Sequence, residues 1–253
     1  EASLRVGKRS SDPYWKGILL ASGEVDKRFA LLKDIVAKDH PLPQDLLPSA
    51  RSLLVIFVAF REELLEENST GELPSRSWGL AYEATNRLIE EILEELKLSL
   101  EARGYQSLTT PPTHNFDRER LISLWSHKHL GYLVNLGTFG LNSQLITPLG
   151  CGGRLGSLVT EAPLPQTPSW KDQELCLHKK GLECQACIKA CPANALEANG
   201  IKREACFKRL SYNIRSSPTL RGLKPTTHVC GKCVVVCPAR LDRIPEGLRW
   251  VGF

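Results

Sequence analysis

The chain has 253 residues, of which 42% are hydrophobic and 24% are charged, and its formal net charge is +5. This composition is that of a soluble globular protein with room for one large or two modest domains. No apolar run reaches the roughly 18 residues that span a bilayer, and the first residues lack the pattern of a signal peptide. We therefore expect no membrane contact, and we expect the chain to work in the cytoplasm.

The first predicted element is helical. Apolar and charged residues alternate with helical spacing over residues 13–40, and Pro41 and Pro43 end the pattern. The next element, residues 53–60 (LLVIFVAF), is a continuous apolar run with the length of a strand. Such a run predicts a strand that is covered on both faces, as in α/β and α+β sheets.

The clearest helix is predicted over residues 80–101. Leu88, Ile92 and Leu96 recur every four residues, and a group of glutamates forms the opposite, solvated face. Residues 105–109 follow as a short predicted strand.

A second long helix is predicted over residues 117–134, and a glycine-rich segment follows at residues 137–156. Two strand-like pieces lie in and beside that segment, at residues 144–147 and 155–160. Three prolines then mark a linker at residues 162–172.

Charge and cysteine content also change at this linker. Residues 1–170 contain 18 Lys and Arg against 21 Asp and Glu, whereas residues 171–253 contain 15 against 7. Every cysteine except Cys151 lies in the basic part. This part also repeats the cysteine pattern C-x2-C-x3-C-P, which is typical of two-cluster ferredoxins. We therefore expect an N-terminal α/β (α+β) domain over residues 1–165 and a C-terminal ferredoxin-like domain over residues 166–253.

Two copies of one cysteine pattern, C-x2-C-x3-C-P, lie in the C-terminal part. The copies contain Cys184, Cys187 and Cys191, and Cys230, Cys233 and Cys237. Bacterial two-cluster ferredoxins use the run C-x2-C-x2-C-x3-C-P, in which the last cysteine ligates the other cluster. Gly181 and Thr227 stand where the first cysteine of that run would be. Each copy therefore needs a further donor from upstream.

One spare cysteine ahead of each copy completes two sets of four. One 4Fe-4S cluster is predicted to be held by Cys176, Cys184, Cys187 and Cys237. The other is predicted to be held by Cys191, Cys206, Cys230 and Cys233. The excess of Lys and Arg in this part suits anionic clusters. Cys151 is left over, and we interpret it as a small buried side chain rather than as a thiol that faces a substrate.

Other readings of the same residues remain open. Zinc also binds C-x2-C pairs in four-cysteine sites, but it gives no reason for the duplicated Cys-Pro endings with reciprocal exchange. The basic surplus is also compatible with a nucleic-acid surface. His127 and His129 are two residues apart and do not share a helix face, so we do not expect them to bind one metal ion.

The glycine-rich region resembles the core of epoxyqueuosine reductases and, more loosely, that of reductive dehalogenases. The motifs are at residues 126–129 (SHKH), 135–142 (NLGTFGLN), 145–148 (LITP), 153–157 (GRLGS) and 160–164 (TEAPL). Both families place this core just before a two-cluster ferredoxin module, as is found here. The resemblance covers roughly residues 50–240.

The resemblance implies a cobalamin-dependent reductase whose N-terminal domain is related to flavin reductases. In such an enzyme a nearby cluster feeds electrons to the cobalt, and the protein positions the cofactor. The resemblance implies that the cofactor, either cobalamin or a flavin, lies along Gly137, Gly140, Asn142 and Arg154. Asp117 falls near the acidic proton donor of these reductases, which implies a catalytic role.

The function we predict is an iron–sulfur oxidoreductase that relays electrons through two 4Fe-4S clusters to a cofactor and a substrate in the N-terminal domain. The implied partners are an electron-donor protein of the ferredoxin or flavodoxin type and a small-molecule or modified-nucleoside substrate. One alternative is a non-catalytic electron-transfer protein, which would have no sizeable pocket beside residues 137–154. Another is a tRNA-associated iron–sulfur protein whose basic third binds RNA.

Overall fold

The computed structural model describes residues 14–113, 115–169, 174–241 and 243–252. Its strands are β1 (Trp15–Glu24), β2 (Ser52–Phe60), β3 (Ser107–Thr109), β4 (Phe116–Asp117), β5 (Ile122–Ser123), β6 (Thr138–Phe139), β7 (Leu145–Ile146), β8 (Gly153–Thr160), β9 (Leu196–Glu197), β10 (Gly200–Ile201) and β11 (Arg249–Gly252). Its α-helices are α1 (Leu32–Ile35), α2 (Pro43–Leu46), α3 (Glu62–Glu67), α4 (Arg76–Glu101), α5 (His127–Leu133), α6 (Ala186–Lys189), α7 (Arg203–Ser216) and α8 (Lys232–Val235). Within these ranges no helix is both long enough and apolar enough to cross a bilayer.

A five-stranded antiparallel sheet organises the fold, with the strand order β11-β1-β2-β8-β3. β2 is the middle strand and is almost entirely buried, which confirms the strand predicted from its unbroken apolar run. The short strand predicted at residues 105–109 and the two predicted pieces at 144–147 and 155–160 are also confirmed, as β3, β7 and β8.

The two faces of the sheet carry separate hydrophobic cores. On one face, Leu130 of α5 belongs to the same buried cluster as Val55 and Phe57 of β2. On the opposite face, Ile89 of α4 belongs to a cluster with Ile56 of β2. Because neighbouring residues of a strand point to opposite faces, the apolar run of β2 supplies both cores at once. The helices α4 and α5 therefore lie on opposite sides of the sheet.

The helix α4 confirms the strongest helical prediction and begins a turn earlier than predicted. Ser75 caps it, because its hydroxyl accepts a hydrogen bond of 3.1 Å from the backbone N–H of Trp78. This cap adds Trp78 to the helix, one turn before Tyr82. Both aromatic side chains line the same cavity.

The predicted helix over residues 13–40 is wrong in its first half. Trp15–Glu24 forms β1, which pairs with β2, and only short helical turns follow at Lys27–Leu31 and Leu32–Ile35. Nearly every residue of β1 is buried. A strand that is covered on both faces has no simple alternation of apolar and polar residues, so pairing with β2 decides its structure where periodicity does not.

The predicted helix over residues 117–134 is also wrong in its first half. A hairpin of β4 and β5 occupies this part, and the helix begins only at His127. Arg120 holds the hairpin in place through ion pairs with Asp117 at 2.7 Å and Asp39 at 2.8 Å. Asp39 is distant in sequence, so the local pattern carries no sign of this contact.

The cysteine-rich part is made of short elements around a third buried cluster. The helices α6, α7 and α8 and the hairpin of β9 and β10 surround cysteines that include Cys176 and Cys187. The chain then returns to the sheet, where β11 pairs with β1 in a register that places Gly252 opposite Gly17. The mixed α/β architecture followed by a cysteine-rich segment is as predicted, whereas a domain division at residue 165 stays a prediction.

Candidate redox site

Four cysteines from separate segments line a first cavity. They are Cys176, Cys184, Cys187 and Cys237. Leu141, Ile146 and Leu177 contribute to an apolar wall, and the backbone N–H of Leu141 donates to the sulfur of Cys176 at 3.4 Å. Four thiols in an apolar wall, with an N–H···S hydrogen bond already formed, suit a 4Fe-4S cluster.

The other four predicted ligands line a second cavity, of about 270 Å³. They are Cys191, Cys206, Cys230 and Cys233. The backbone N–H of Ala195 donates to the sulfur of Cys191 at 3.3 Å. The structure therefore brings together the two sets that the spacing predicts, including the exchange of Cys191 and Cys237 between the two copies of the motif.

Short helices position the central cysteines of each copy. Cys187 lies in α6 and Cys233 lies in α8. The residue before α8, Gly231, has a φ of +78°, and a Cβ at this position would collide with the ring of Trp78. Only glycine combines this left-handed conformation with so close an approach. The second copy of the motif is therefore packed directly against α4.

Two thiols inside the second cavity resist ionisation. Burial, with a further contribution from the neighbouring Cys230 and Cys191, raises the pKa of Cys206 to about 11. Burial and nearby cysteines also raise the pKa of Cys233. Bound iron would reverse this effect, because a metal cation stabilises the thiolate form of its ligands.

Asn142 forms part of the wall between the two cavities, since its side chain lines both. Its amide donates to the carbonyl of Cys233 at 3.1 Å and to the sulfur of Cys151 at 3.6 Å. Cys151 is buried, lines the second cavity and hydrogen-bonds to Cys237, which lowers the pKa of Cys237 to about 7. The ninth cysteine thus belongs to neither set of four but lies next to both.

The second cavity continues beyond its cysteines to Phe60, Trp78, Tyr82 and Arg154. The guanidinium carbon of Arg154 lies 4.1 Å from the centre of the Tyr82 ring, and Nε donates to the side-chain oxygen of Asn86 at 2.7 Å. Burial lowers the pKa of Arg154, and the neighbouring Tyr82 partly opposes that change. A cation held against an aromatic ring suits a ligand that is anionic or rich in π electrons.

The sequence analysis missed the part of this cavity that α4 contributes. Trp78, Tyr82 and Asn86 are spaced four residues apart, so they share one face of the helix. That spacing is the signal in the sequence. The predicted helix begins only at residue 80, and the periodicity of its apolar residues does not mark this face.

The predicted cofactor-binding glycines differ in their surroundings. Gly140 lines the first cavity, where a Cβ would come within 2.7 Å of the side-chain oxygen of Asn142. Gly137 lines neither cysteine cavity, and a Cβ there would collide with the backbone carbonyl of Ile146 in the hairpin of β6 and β7. Gly137 therefore permits a close approach between strands.

Asp117 does not line either cysteine cavity. Hydrogen bonds from the backbone N–H and the side chain of Arg120 lower the pKa of its carboxyl group. A carboxylate held in this way is a poor proton donor, so this geometry does not support the predicted catalytic role. The hairpin that carries Asp117 does lie near the second cavity, because Phe116 contacts Phe207, which stacks on the cavity residue His228.

The two histidines of α5 are separated as their spacing predicts. His127 hydrogen-bonds to the Ser157 hydroxyl and to the carbonyl of Pro111, each at 3.0 Å, whereas His129 contacts the Ser126 hydroxyl at 2.7 Å. Among the described residues, no three His, Cys, Asp or Glu side chains converge closely enough to hold a single metal ion.

Comparison with known proteins identifies the kind of fold. Residues 181–240 match the family described as a 4Fe-4S double cluster binding domain. A selenomethionine-labelled epoxyqueuosine reductase superposes with a TM-score of 0.57 at 18% identity, over 87% of this chain and 60% of that chain. The epoxyqueuosine reductase from Streptococcus thermophilus superposes with a TM-score of 0.57 at 14% identity, over 90% of this chain and 66% of its own.

A third solved structure, epoxyqueuosine reductase with an epoxyqueuosine-modified tRNA-Tyr stem loop, has a TM-score of 0.55 at 17% identity, over 87% of this chain and 60% of that chain. The chain thus spans 60–66% of the length of these structures. Comparison with curated protein sequences finds no match. The chain has the fold of epoxyqueuosine reductases and carries a 4Fe-4S double cluster segment, in agreement with the resemblance in its sequence.

Proposed function

We propose that this protein is an iron–sulfur oxidoreductase in which two 4Fe-4S clusters relay electrons to an acceptor bound in the second cavity. The observation that carries the proposal is the grouping of eight cysteines into two cavities that share the Asn142 wall. Two clusters separated by one layer of side chains form a path for single electrons. The continuation of the second cavity to Tyr82 and Arg154 provides room for an acceptor at the end of that path.

We assign four ligands to each cluster. The first cluster is held by Cys176, Cys184, Cys187 and Cys237. The second is held by Cys191, Cys206, Cys230 and Cys233. The match of residues 181–240 to a double cluster segment supports this assignment, since it contains seven of these cysteines within its bounds. Free thiols must stay reduced until iron is inserted, which favours the cytoplasm as the place of assembly.

Cobalamin is the acceptor that the resemblance implies, and flavin is the other candidate. The second cavity, at about 270 Å³, lies just below the roughly 300–1,000 Å³ of pockets that enclose a drug-sized ligand. Cobalamin is larger than such ligands, so it does not fit wholly within this cavity beside a cluster. We therefore derive no step through it, and we propose that its binding be tested directly.

The residues at the acceptor end of the second cavity bind and orient the ligand. Arg154 supplies a fixed positive charge, because Tyr82 and Asn86 hold its guanidinium in one position. Phe60 and Trp78 supply apolar surface that excludes water. This combination suits a modified nucleoside, which offers a π face and polar edges, and the tRNA in one similar solved structure supports that substrate class.

A protein that only carries electrons is the main alternative. That function predicts no sizeable pocket beside residues 137–154, but a cavity of about 270 Å³ lies against Asn142, Gly153 and Arg154. The cavity favours an enzyme. Asp117 would serve as the proton donor in such an enzyme through a movement of the hairpin of β4 and β5 toward the cavity.

Anaerobic reconstitution tests the proposal. Iron and sulfide analysis should give about eight of each per chain, and the reduced protein should show electron paramagnetic resonance signals from two clusters. Absorption spectra recorded before and after addition of cobalamin or flavin then show which of the two binds. A chain that takes up zinc and no iron under these conditions would overturn the redox function.

A further inference from the structure

A basic groove lies on the opposite side of the sheet from the acceptor end of the second cavity. It has a volume of about 360 Å³, and the residues that matter for its chemistry are Lys128, Lys179, Arg203 and Phe139. These residues come from α5, from the loop between Cys176 and Cys184, from the start of α7 and from β6. No Asp or Glu lines the groove within the described part of the chain.

The lysines of the groove are held in position by backbone carbonyls, and no ion pair with a carboxylate is found for them among the described residues. Lys128 donates to the carbonyl of Ser143 at 2.9 Å, and Lys179 donates to the carbonyl of Phe139 at 2.6 Å. These contacts fix each ammonium group without neutralising it. Since no Asp or Glu lines the groove among the described residues, the groove keeps a positive charge that an anionic surface would complement.

The groove is separated from both clusters by a single layer of residues. Gly140 and Leu141 line the groove and also the first cavity. Ile201 lines the groove and also the second cavity. A redox partner seated here would therefore approach the clusters closely and would leave the acceptor end, which α4 lines on the other side of the sheet, free for substrate.

The surface beside the groove extends the same chemistry. The loop between Cys176 and Cys184 exposes Lys180 and Leu182, with one acidic residue, Glu183, beside them, and 56% of the surface of Leu182 is accessible. An exposed leucine beside a group of charged, mainly basic, side chains is the pattern of a protein contact, with an apolar centre and a charged rim. A free phosphate or an RNA backbone would make no use of the leucine.

We propose that the basic groove and the adjoining loop are the docking site for an acidic electron-carrier protein. The partner's carboxylates pair with Lys179, Lys180 and Arg203, and Leu182 packs against its apolar surface. This proposal rests on the redox function proposed above. It adds the place at which electrons reach the clusters and the charge of the protein that delivers them.

The test is the rate at which a reduced acidic ferredoxin or flavodoxin bleaches the clusters of the reconstituted full chain, followed by stopped flow. Lys179→Glu combined with Arg203→Glu should slow this reaction by about tenfold or more at low ionic strength. The wild-type rate should fall as salt is added, because the attraction is screened. Leu182→Ala should slow the reaction without changing its dependence on salt.

Arg87→Glu is the matched control, because Arg87 is exposed on α4, on the other side of the sheet. It should react at the wild-type rate. Dithionite, a small reductant that needs no docking site, should reduce every variant equally. Clusters that fail to form or to accept electrons from dithionite would count against the redox function itself.

The docking site is overturned if the double charge reversal accepts electrons from the carrier as fast as the wild type. It is also overturned if the reversal abolishes binding of an RNA stem loop while leaving the carrier's rate unchanged, since the groove would then belong to nucleic acid.

Discussion

The side-chain amide of Asn142 donates a 3.1 Å hydrogen bond to the backbone carbonyl of Cys233, within the wall that separates the two cysteine cavities. Replacement by leucine keeps the branched shape of the side chain but leaves that buried carbonyl without its donor, at a cost of about 1–3 kcal/mol in the free energy of unfolding. We expect Asn142→Leu to lower stability by this amount in denaturant titrations. Asn199→Ala, at an exposed position, is the control and should have no effect.

Cys237 and Cys151 lie side by side but are assigned different roles. Cys237→Ser should lose one cluster and therefore roughly half of the iron, because the first set then has three thiolates. Cys151→Ser should keep all of its iron. Metal analysis and electron paramagnetic resonance of the two variants check this assignment, and the opposite result would make Cys151 the ligand.

Gly231 is required by both its conformation and its surroundings. Gly231→Ala places a methyl group against the Trp78 ring at a φ of +78°, so the start of α8 must shift and the second cluster should assemble poorly. Gly71→Ala is a matched control, because Gly71 has a φ of +63° but no atom within 4 Å of the added carbon. We expect the control to lose only about 1 kcal/mol of stability and to keep both clusters.

His127 makes stability dependent on pH. Burial lowers its pKa from 6.5 to about 4. The unfolded chain therefore binds a proton below pH 6.5 that the folded chain does not bind until about pH 4. The stabilisation is complete above pH 6.5 and is lost as the pH falls from there toward 4. His127→Gln should reduce the slope of unfolding free energy between pH 6 and 5 by about 1 kcal/mol per pH unit. An unchanged slope would show that His127 is not buried in its neutral form.

Arg154 places a partly buried positive charge in the cavity that contains the second set of cysteines. Such a charge favours the reduced, more negative state of a cluster, so Arg154→Met should lower the reduction potential of the second cluster and leave that of the first nearly unchanged. Arg154→Lys keeps the charge and should restore most of the potential. A redox titration followed by electron paramagnetic resonance measures both variants, and equal shifts in the two clusters would contradict this placement.

The sequence predicted the cysteine site better than the fold around it, for a physical reason. Cluster ligands lie within short loops whose spacing is constrained by the size of the cluster. The spacing of Cys184, Cys187 and their counterparts is therefore visible within a short stretch of sequence. The hairpin of β4 and β5 depends instead on the ion pair between Arg120 and Asp39, which is distant in sequence. Likewise β1 is a strand because β2 pairs with it, and no local periodicity records that pairing.

The residues that line the acceptor end of the second cavity could not be predicted from the sequence, for a related reason. Trp78 and Tyr82 fit an ordinary amphipathic helix, and only the approach of Gly231 and Arg154 from other segments turns them into a binding surface. The spacing of four along α4 was visible, but nothing local distinguished a cavity face from a core face.

The pairing of β11 with β1 means that the cysteine-rich part leaves the central sheet through β8 and comes back to it. A segment anchored at both ends has no single hinge about which to swing. The distances between the clusters and the acceptor are therefore set when the protein folds, and its turnover should not slow in viscous solvent through any internal swinging motion. The cysteine-rich part should therefore stay fixed on the sheet while a substrate or redox partner binds and leaves.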